Sequence, residues 1–324
     1  MKNKYVEIFL SVLLSIVSAT VMLLIAEGIL RLKNSSMKNY DIEMWRYSKE
    51  LKKRSDNNIL GHEHLRSKCA ILQSVEICIN NIGLRGKDFI DNEKNKRKIL
   101  FLGSSITLGW GVEEEKTLTS LIQQKCMEKN IQAEILNAGI GNYNTVRYVE
   151  RFFTILKNIE PTDIIIQYFV NDAEKLSQGG GNFLLRNFQL AVTSWIFINR
   201  YLKKTGESSL LQHYEQVYDK DADGFLAMKK ALKKLSDYAK NNNINIFLVM
   251  TPDIHNLQDY PFVFIHNNMK TIASDYGYKY LDLLPFLSNI DAKKLWAMPG
   301  DPHPNEMGHQ IMADAIFPLI FKTK

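Results

Sequence analysis

The stretch from Ile99 to Gly111 constrains the fold of this chain most, because a short apolar run ends at a glycine that two serines follow directly. Ile99 to Leu102 is typical of a buried strand. A few residues later, Leu118, Leu121 and Ile122 begin the pattern of an amphipathic helix. A serine held between a strand and a helix presents its hydroxyl beside outward-pointing backbone N–H groups. The stretch therefore predicts either a nucleophilic serine or two serines that only cap a helix.

Strand and helix patterns alternate along the rest of the chain. The sequence predicts strands at 99–102, 133–137, 163–169, 244–250 and 278–283, and helices at about 115–130, 144–158, 225–241, 262–276 and 306–321. Alternating strands and helices with short connections form a parallel sheet that is covered by helices on both faces. The predicted fold class is therefore α/β with three layers, α/β/α.

The N-terminal segment predicts a membrane anchor. Ile8 to Ala26 is a run of nineteen residues without a charge, which is long enough to span a bilayer. A cleaved signal peptide has a shorter apolar region and a better small-residue cleavage site. We expect an uncleaved single-pass anchor with the following domain outside the cytoplasm, although Arg31, Lys33 and Lys38 favour the opposite orientation. A cleaved signal peptide and a buried core helix are the two alternatives that stay open.

The predicted organisation has three parts. Residues 1–33 form the anchor, 34–94 form a stalk and a small β-rich extension, and 95–324 form the main domain, with an insertion at about 173–223. The formal net charge of +6 is spread among interspersed lysines and glutamates, and no nucleic-acid motif accompanies it. The charge therefore predicts solubility and attraction to an acidic membrane surface, and no nucleic-acid partner.

The insertion begins with three consecutive glycines, Gly179 to Gly181, and continues with a helical pattern from Phe183 to Ile198 that is apolar on several faces. Such a helix has to be covered. Three interpretations stay open: a lid or wall over an active-site mouth, a helix that packs against lipid, and an additional core helix.

Asp219 to Gly224 begins like a calcium-binding loop, with oxygen ligands at alternate positions and glycine at the sixth. Position twelve, where such loops have a glutamate, is Lys230. We expect a solvated turn that caps the next helix, and no metal.

The three cysteines allow one disulfide with one thiol left over. Cys69 and Cys78 are placed to face each other across a hairpin, and an exported domain would permit their bond, but the sequence leaves the bond open. Cys126 is expected to be a small buried apolar residue. No cysteine or histidine cluster predicts zinc, and no motif predicts a cofactor.

Four short blocks occur in one order along the chain. They are Gly103-Ser104-Ser105-Ile106-Thr107, Asn137 to Thr145, Phe169-Val170-Asn171-Asp172 and Gly300-Asp301-Pro302-His303. Together they resemble the SGNH (GDSL-type) hydrolase family over about residues 95–324, and sequences around Trp110, Tyr143 and His309 resemble a membrane-anchored branch of it. The resemblance implies a parallel, flavodoxin-like sheet in the SGNH hydrolase fold, and a serine nucleophile without a cofactor.

The resemblance also implies a role for individual residues. The first block of the family reads Gly-Asp-Ser, which makes Ser105 the nucleophile and places Ser104 where the family has aspartate. The spacing from Asn137 places the oxyanion donor of the second block at Asn142, where the family has glycine. Asparagine is the residue that best replaces glycine where φ is positive. Asn171, in the third block, would direct its side-chain amide at the oxyanion.

The last block supplies the base and the acid. His303 corresponds to the general base and Asp301 to its orienting partner. His303 lies two positions after Asp301, whereas the usual separation in the family is three. A second Asp-x-His pair, Asp253 and His255, follows the strand that is predicted at 244–250 and is a rival for this role. The physical chemistry agrees, since a serine hydroxyl needs a base within hydrogen-bond reach and the base needs a carboxylate.

These residues predict a serine esterase. Ser105, His303 and Asp301 would form the triad, and the N–H groups of Ser105 and Asn142 with the Asn171 amide would form the oxyanion hole. The expected substrates are acyl esters, with O-acetyl groups of a cell-surface glycan as one candidate. Two alternatives stay open: acyl transfer to a sugar hydroxyl by the same residues, and a non-catalytic scaffold or glycan-binding protein on the same fold.

Overall fold

The structure is a computed structural model that describes residues 2–90, 96–175, 181–204 and 210–321. The chain forms two compact units, Met1–Arg46 with Gly180–Glu207, and Tyr47–Gly179 with Ser208–Lys324. Gly179 and Gly180 of the predicted glycine run, and the predicted boundary between residues 94 and 95, lie outside the described residues.

The helices and strands alternate through most of the chain. The helices are α1 (Lys2–Asn34), α2 (Tyr40–Glu50), α3 (Ser105–Leu108), α4 (Leu118–Glu128), α5 (Thr145–Arg151), α6 (Phe183–Asn187), α7 (Gln189–Lys204), α8 (Leu210–Val217), α9 (Asp223–Asn241), α10 (Val263–Tyr276), α11 (Leu284–Leu287) and α12 (Glu306–Ile320). The strands are β1 (Lys52–Arg54), β2 (His62–His64), β3 (Lys68–Leu72), β4 (Val75–Ile79), β5 (Arg97–Gly103), β6 (Ala133–Asn137), β7 (Asp163–Phe169), β8 (Asn245–Thr251), β9 (Lys279–Asp282), β10 (Trp296–Met298) and β11 (Asp301–Pro304).

The first unit is built on α1. This helix is long and apolar enough to cross a membrane, a property that signal sequences share, and its side chains from residue 4 to residue 25 are exposed. Glu27 is buried at the end of the apolar run and accepts the backbone N–H groups of Gln189 and Leu190, at 3.0 and 2.8 Å. A carboxylate at the start of a helix satisfies its unpaired N–H groups and its dipole. Glu27 therefore fixes the start of α7 against α1.

The second unit contains a five-stranded parallel sheet with the order β6-β5-β7-β8-β9. This order, in which the chain starts near one edge and continues across the sheet, is that of a doubly wound α/β fold. With one exception, the strand and helix predictions are confirmed to within three residues, and β6 and β7 have the predicted bounds. The helix predicted at 144–158 is instead α5 followed by a π turn at Phe152–Leu156 and a 3₁₀ turn at Lys157–Ile159.

Helices cover both faces of the sheet, because successive strand residues point to opposite sides. Leu100 and Leu102 of β5 pack in a core with α5, α9 and α10, whereas Ile99 and Phe101 pack with α4 and α12. All four side chains are fully buried. The predicted three-layer α/β/α arrangement is therefore confirmed.

The extension before the sheet forms two small antiparallel hairpins, β1-β2 and β3-β4. Cys69 and Cys78 lie opposite each other in the second hairpin, and their sulfur atoms are bonded. The structure thus contains the disulfide that the sequence left open. Cys126 is buried in the core between α4 and the sheet, as expected.

Candidate active site

The serine turn is shaped by a close approach of two segments. A Cβ atom at Gly103 would lie 2.0 Å from Thr107 Oγ1 and 3.0 Å from the carbonyl oxygen of Gln167, so only glycine fits there. β5 ends at this residue and α3 begins at Ser105, with Ser104 buried between them. The chain therefore turns sharply at the carboxyl end of the sheet and leaves Ser105 partly exposed, as a nucleophile requires.

Ser105, His303 and Asp301 form one chain of hydrogen bonds. Ser105 Oγ lies 2.8 Å from His303 Nε2, and His303 Nδ1 lies 2.5 Å from Asp301 Oδ1. The backbone N–H of His303 donates to the same carboxylate oxygen at 3.1 Å. The imidazole is thus fixed at both nitrogens, between a hydroxyl that it can deprotonate and a carboxylate that stabilises its cation.

The Asp301 carboxylate is fully buried and is held by a residue that lies far away in the sequence. Gln73 Nε2, in the turn of the β3-β4 hairpin, donates to Asp301 Oδ2 at 2.8 Å. Burial alone would raise the pKa of Asp301, but the hydrogen bonds and charge of His303 and the hydrogen bond from Gln73 hold that pKa below its usual value. Asp301 therefore stays ionised beside the imidazole.

Strand order brings the two predicted oxyanion residues to either side of the serine. Asn142 follows β6, Ser105 follows β5 and Asn171 follows β7, and β5 lies between β6 and β7 in the sheet. Asn142 and Asn171 are both exposed. Asn142 has a φ of 64°, so the backbone is left-handed at the position where the family pattern has glycine.

Asn137 ties the loop after β6 to the serine turn. Its Nδ2 donates to the carbonyl oxygen of Thr107 at 2.8 Å, and its Oδ1 accepts the N–H of Gly139 at 3.0 Å. A Cβ atom at Gly139 would lie 2.1 Å from the backbone nitrogen of Leu108. The loop that leads to Asn142 therefore packs directly against α3, with no space for a side chain between them.

Two further polar residues, Asp172 of the third block and His309 after the last block, support the surrounding loops. Asp172 accepts the N–H of Phe169 at 3.1 Å and the hydroxyl of Tyr148 at 3.3 Å, and burial raises its pKa well above the usual value. His309 Nδ1 accepts the N–H of Leu118 at 2.9 Å, and burial lowers the pKa of His309 to about 3, which keeps the ring neutral. Both side chains brace the ends of elements around the site.

The rival pair repeats the local geometry of the last block. His255 Nδ1 lies 2.6 Å from Asp253 Oδ1, and the backbone N–H of His255 donates to the same oxygen at 2.8 Å. The hydrogen bond that the His255 ring donates to the Asp253 carboxylate raises the pKa of His255. The His255 side chain is 54% exposed, whereas the His303 side chain is 12% exposed and has Ser105 Oγ at its other nitrogen. The structure therefore places the serine against the Asp301 pair.

Sequence reasoning did not find the contribution of the extension. Besides Gln73, the buried Arg85 donates to the carbonyl oxygens of Leu108, Gly109 and Val112, each at 2.6 Å, at the end of α3. The sequence of the extension is polar and rich in turns. That pattern does not indicate where the Gln73 and Arg85 side chains lie in the fold. Their partners lie 23 to 228 residues away in the chain.

A serine hydrogen-bonded to a histidine, which is in turn hydrogen-bonded to a buried carboxylate at the carboxyl edge of a doubly wound sheet, is the arrangement typical of serine hydrolases. The chain belongs to the GDSL-like lipase/acylhydrolase family, whose model matches residues 101–311. The sheet and its helices are accordingly the SGNH fold, and the enzyme is a hydrolase of ester bonds.

Comparison with known structures gives several similar esterases. An acetyl xylan esterase has a TM-score of 0.45 and 18% identity, over 69% of this chain and 100% of that one. The psychrotrophic esterase EstA from Pseudoalteromonas sp. has a TM-score of 0.45 and 18% identity, over 70% and 98%. A two-domain esterase active on acetylated mannans has a TM-score of 0.45 and 20% identity, over 70% and 49%. No curated protein matches the sequence.

Proposed function

We propose that the protein hydrolyses acyl esters through Ser105, His303 and Asp301. The observation that supports this most directly is the continuous hydrogen-bonded chain from Ser105 Oγ through the His303 ring to Asp301. A serine hydroxyl is a weak nucleophile at neutral pH unless a base takes its proton, and His303 Nε2 is within reach.

The proposed reaction has two halves. Ser105 Oγ attacks the acyl carbon while its proton moves to His303 Nε2, and the C–O bond to the alcohol breaks as His303 returns that proton to the leaving oxygen. Water then attacks the acyl-enzyme with His303 as base, which releases the acid and restores the serine. In each half the negative oxygen accepts hydrogen bonds from the N–H groups of Ser105 and Asn142 and from the Asn171 amide.

A fluorophosphonate probe tests the activated serine on the full-length protein in detergent. We expect the probe to label wild-type protein at Ser105, as located by peptide mass spectrometry, because only a deprotonated hydroxyl attacks phosphorus at a useful rate. The Ser105→Ala variant provides the matched control and should stay unlabelled. Absence of labelling in folded wild-type protein would contradict the proposal and favour a non-catalytic scaffold.

Acyl esters are the proposed substrate class, with O-acetyl groups of a cell-surface glycan as one candidate. Location at a membrane supports a substrate at the cell surface. α1 is a candidate span, and α7, which Glu27 fixes to α1, exposes Trp195, Phe197 and Tyr201. Aromatic side chains of this kind favour the interface of a bilayer. Hydrolysis and transfer to a sugar hydroxyl are separated by mass spectrometry of the products with an acetylated oligosaccharide.

The proposed topology is a single span with the catalytic unit outside the cytoplasm. The uncharged run in α1 and the disulfide between Cys69 and Cys78 support it, since disulfides persist in oxidising compartments. An alkaline phosphatase fused at the C-terminus should be active, because that enzyme also needs export. Activity from a cytoplasmic reporter alone would refute the topology and leave the catalytic proposal unaffected.

A further inference from the structure

Lys52 lies in β1, well before the residues that match the family, yet its ammonium group contacts the loop of the proposed oxyanion hole. Lys52 Nζ donates to the carbonyl oxygen of Gly141 at 3.0 Å. His62 Nε2, from the neighbouring strand β2, lies 3.1 Å from the same oxygen and 3.3 Å from Lys52 Nζ. Two basic side chains of the extension therefore converge on one backbone carbonyl.

That carbonyl belongs to the peptide group whose N–H is the proposed donor of Asn142. The oxygen of Gly141 and the nitrogen of Asn142 are the two ends of a single planar amide. A positive charge at the oxygen draws electron density from the nitrogen, which makes the N–H a stronger donor, as hydrogen bonds in a chain polarise one another. The same contact sets the direction in which the N–H points.

The other polar groups of this segment are held as well. The N–H of Gly141 donates to Tyr47 OH at 3.1 Å, and the carbonyl oxygen of Asn142 accepts from Arg147 Nη1 at 3.1 Å. A Cβ atom at Gly141 would lie 2.7 Å from the Tyr47 ring, so glycine permits this contact. Side chains thus fix the peptide on both sides of the left-handed Asn142.

We propose that Lys52 is a positioning residue of the oxyanion hole, whose ammonium group orients and polarises the Gly141–Asn142 peptide. The inference rests on the proposed function, since it needs the Asn142 N–H to face the reacting oxygen. It adds a role for a charged residue of the extension, which touches neither the substrate nor the triad.

The surroundings of Lys52 give this role a pH dependence. Burial, and then the charge of Arg147, lower the pKa of Lys52 to about 7. Four groups among the described residues surround it: the Tyr47 ring from α2, 4.3 Å from Nζ, His62 and His64 from β2, and Arg147 from α5. Burial lowers the pKa of His62 to about 2, so that ring is neutral. Lys52 is therefore charged below pH 7 and becomes a neutral amine above it.

The test compares Lys52→Met with Lys53→Met, which removes the next, exposed lysine of the same strand. With 4-nitrophenyl acetate, Lys52→Met should lower kcat at least about tenfold with little change in KM, because the contact strengthens a donor used mainly in the transition state. Lys53→Met should match wild type. Lys52→Gln keeps an N–H donor without the charge, so its kcat should fall less than that of Lys52→Met.

The pH profile separates this role from a structural one. The ratio of wild-type kcat to Lys52→Met kcat should fall as pH rises from about 6 to about 9, since only the wild type loses the Lys52 charge over this range and the two proteins share every other titratable group. A constant ratio, or kcat within about twofold of wild type in both folded Lys52 variants, would overturn the inference. If the Lys52 variants have normal activity while Ser105→Ala is inactive, the proposed function stands and the role of Lys52 is rejected. If Ser105→Ala is active, the proposed function and the role of Lys52 are both rejected.

Discussion

Ser105→Ala is expected to lower the turnover of a short-chain aryl ester by at least about a thousandfold, and His303→Ala by a similar factor. The two side chains act as a unit, since Ser105 Oγ is hydrogen-bonded to His303 Nε2 at 2.8 Å and neither group performs the attack without the other. Steady-state kinetics on the full-length protein in detergent measure both effects. The double variant should be no slower than either single variant, because each removes the same step.

Ser104→Ala is the matched control, because it removes the adjacent hydroxyl. Ser104 is 5% exposed and precedes the short helix α3, so its loss should leave most of the activity. Asp253→Ala provides a second control for the rival pair and should also have little effect. An inactive Ser104 variant beside an active Ser105 variant would identify the other hydroxyl as the nucleophile. If Asp253→Ala is inactive, His255 and not His303 would be assigned as the general base.

Much of the fold was predictable because its signals are local. Each sheet strand is a short run of apolar residues, and each covering helix has a regular apolar face, so β6 and β7 could be predicted to the residue. The π turn at Phe152–Leu156 was not predictable, since a helix with one inserted residue keeps the same apolar character along its sequence.

Part of the candidate site was also predictable from local sequence, and part was not. Ser105, Asn142, Asn171, Asp301 and His303 could be named because each lies in a short block with a recognisable order. Lys52 and Gln73 could not be named in this way. Lys52 lies in β1, which has three residues, too few to show a periodic pattern, and the contacts of Lys52 and Gln73 span 89 and 228 positions of the chain. The residues of the proposed triad and oxyanion hole are thus encoded locally, whereas those that hold them are brought in by the tertiary fold.

Asn171→Ala is expected to lower kcat by about a hundredfold or more, with a smaller change in KM, since it removes the proposed side-chain donor to the oxyanion. Asn142→Gly is the matched comparison, because the proposed donor there is the backbone N–H. Asn142 has a φ of 64°, a conformation that glycine adopts more readily than asparagine, so this variant should keep or raise activity. Both are measured with one ester under the same conditions.

The two asparagines thus distinguish side-chain donation from backbone donation within one oxyanion hole. They follow the strands on either side of β5, so the pair samples both flanks of the serine. Wild-type turnover in Asn171→Ala would reject its amide as a donor. A large loss in Asn142→Gly would show that the Asn142 side chain itself acts, because the N–H and its left-handed backbone survive that substitution. Asp301→Ala should lie between these outcomes if the carboxylate only orients His303, as its 2.5 Å contact with the ring indicates.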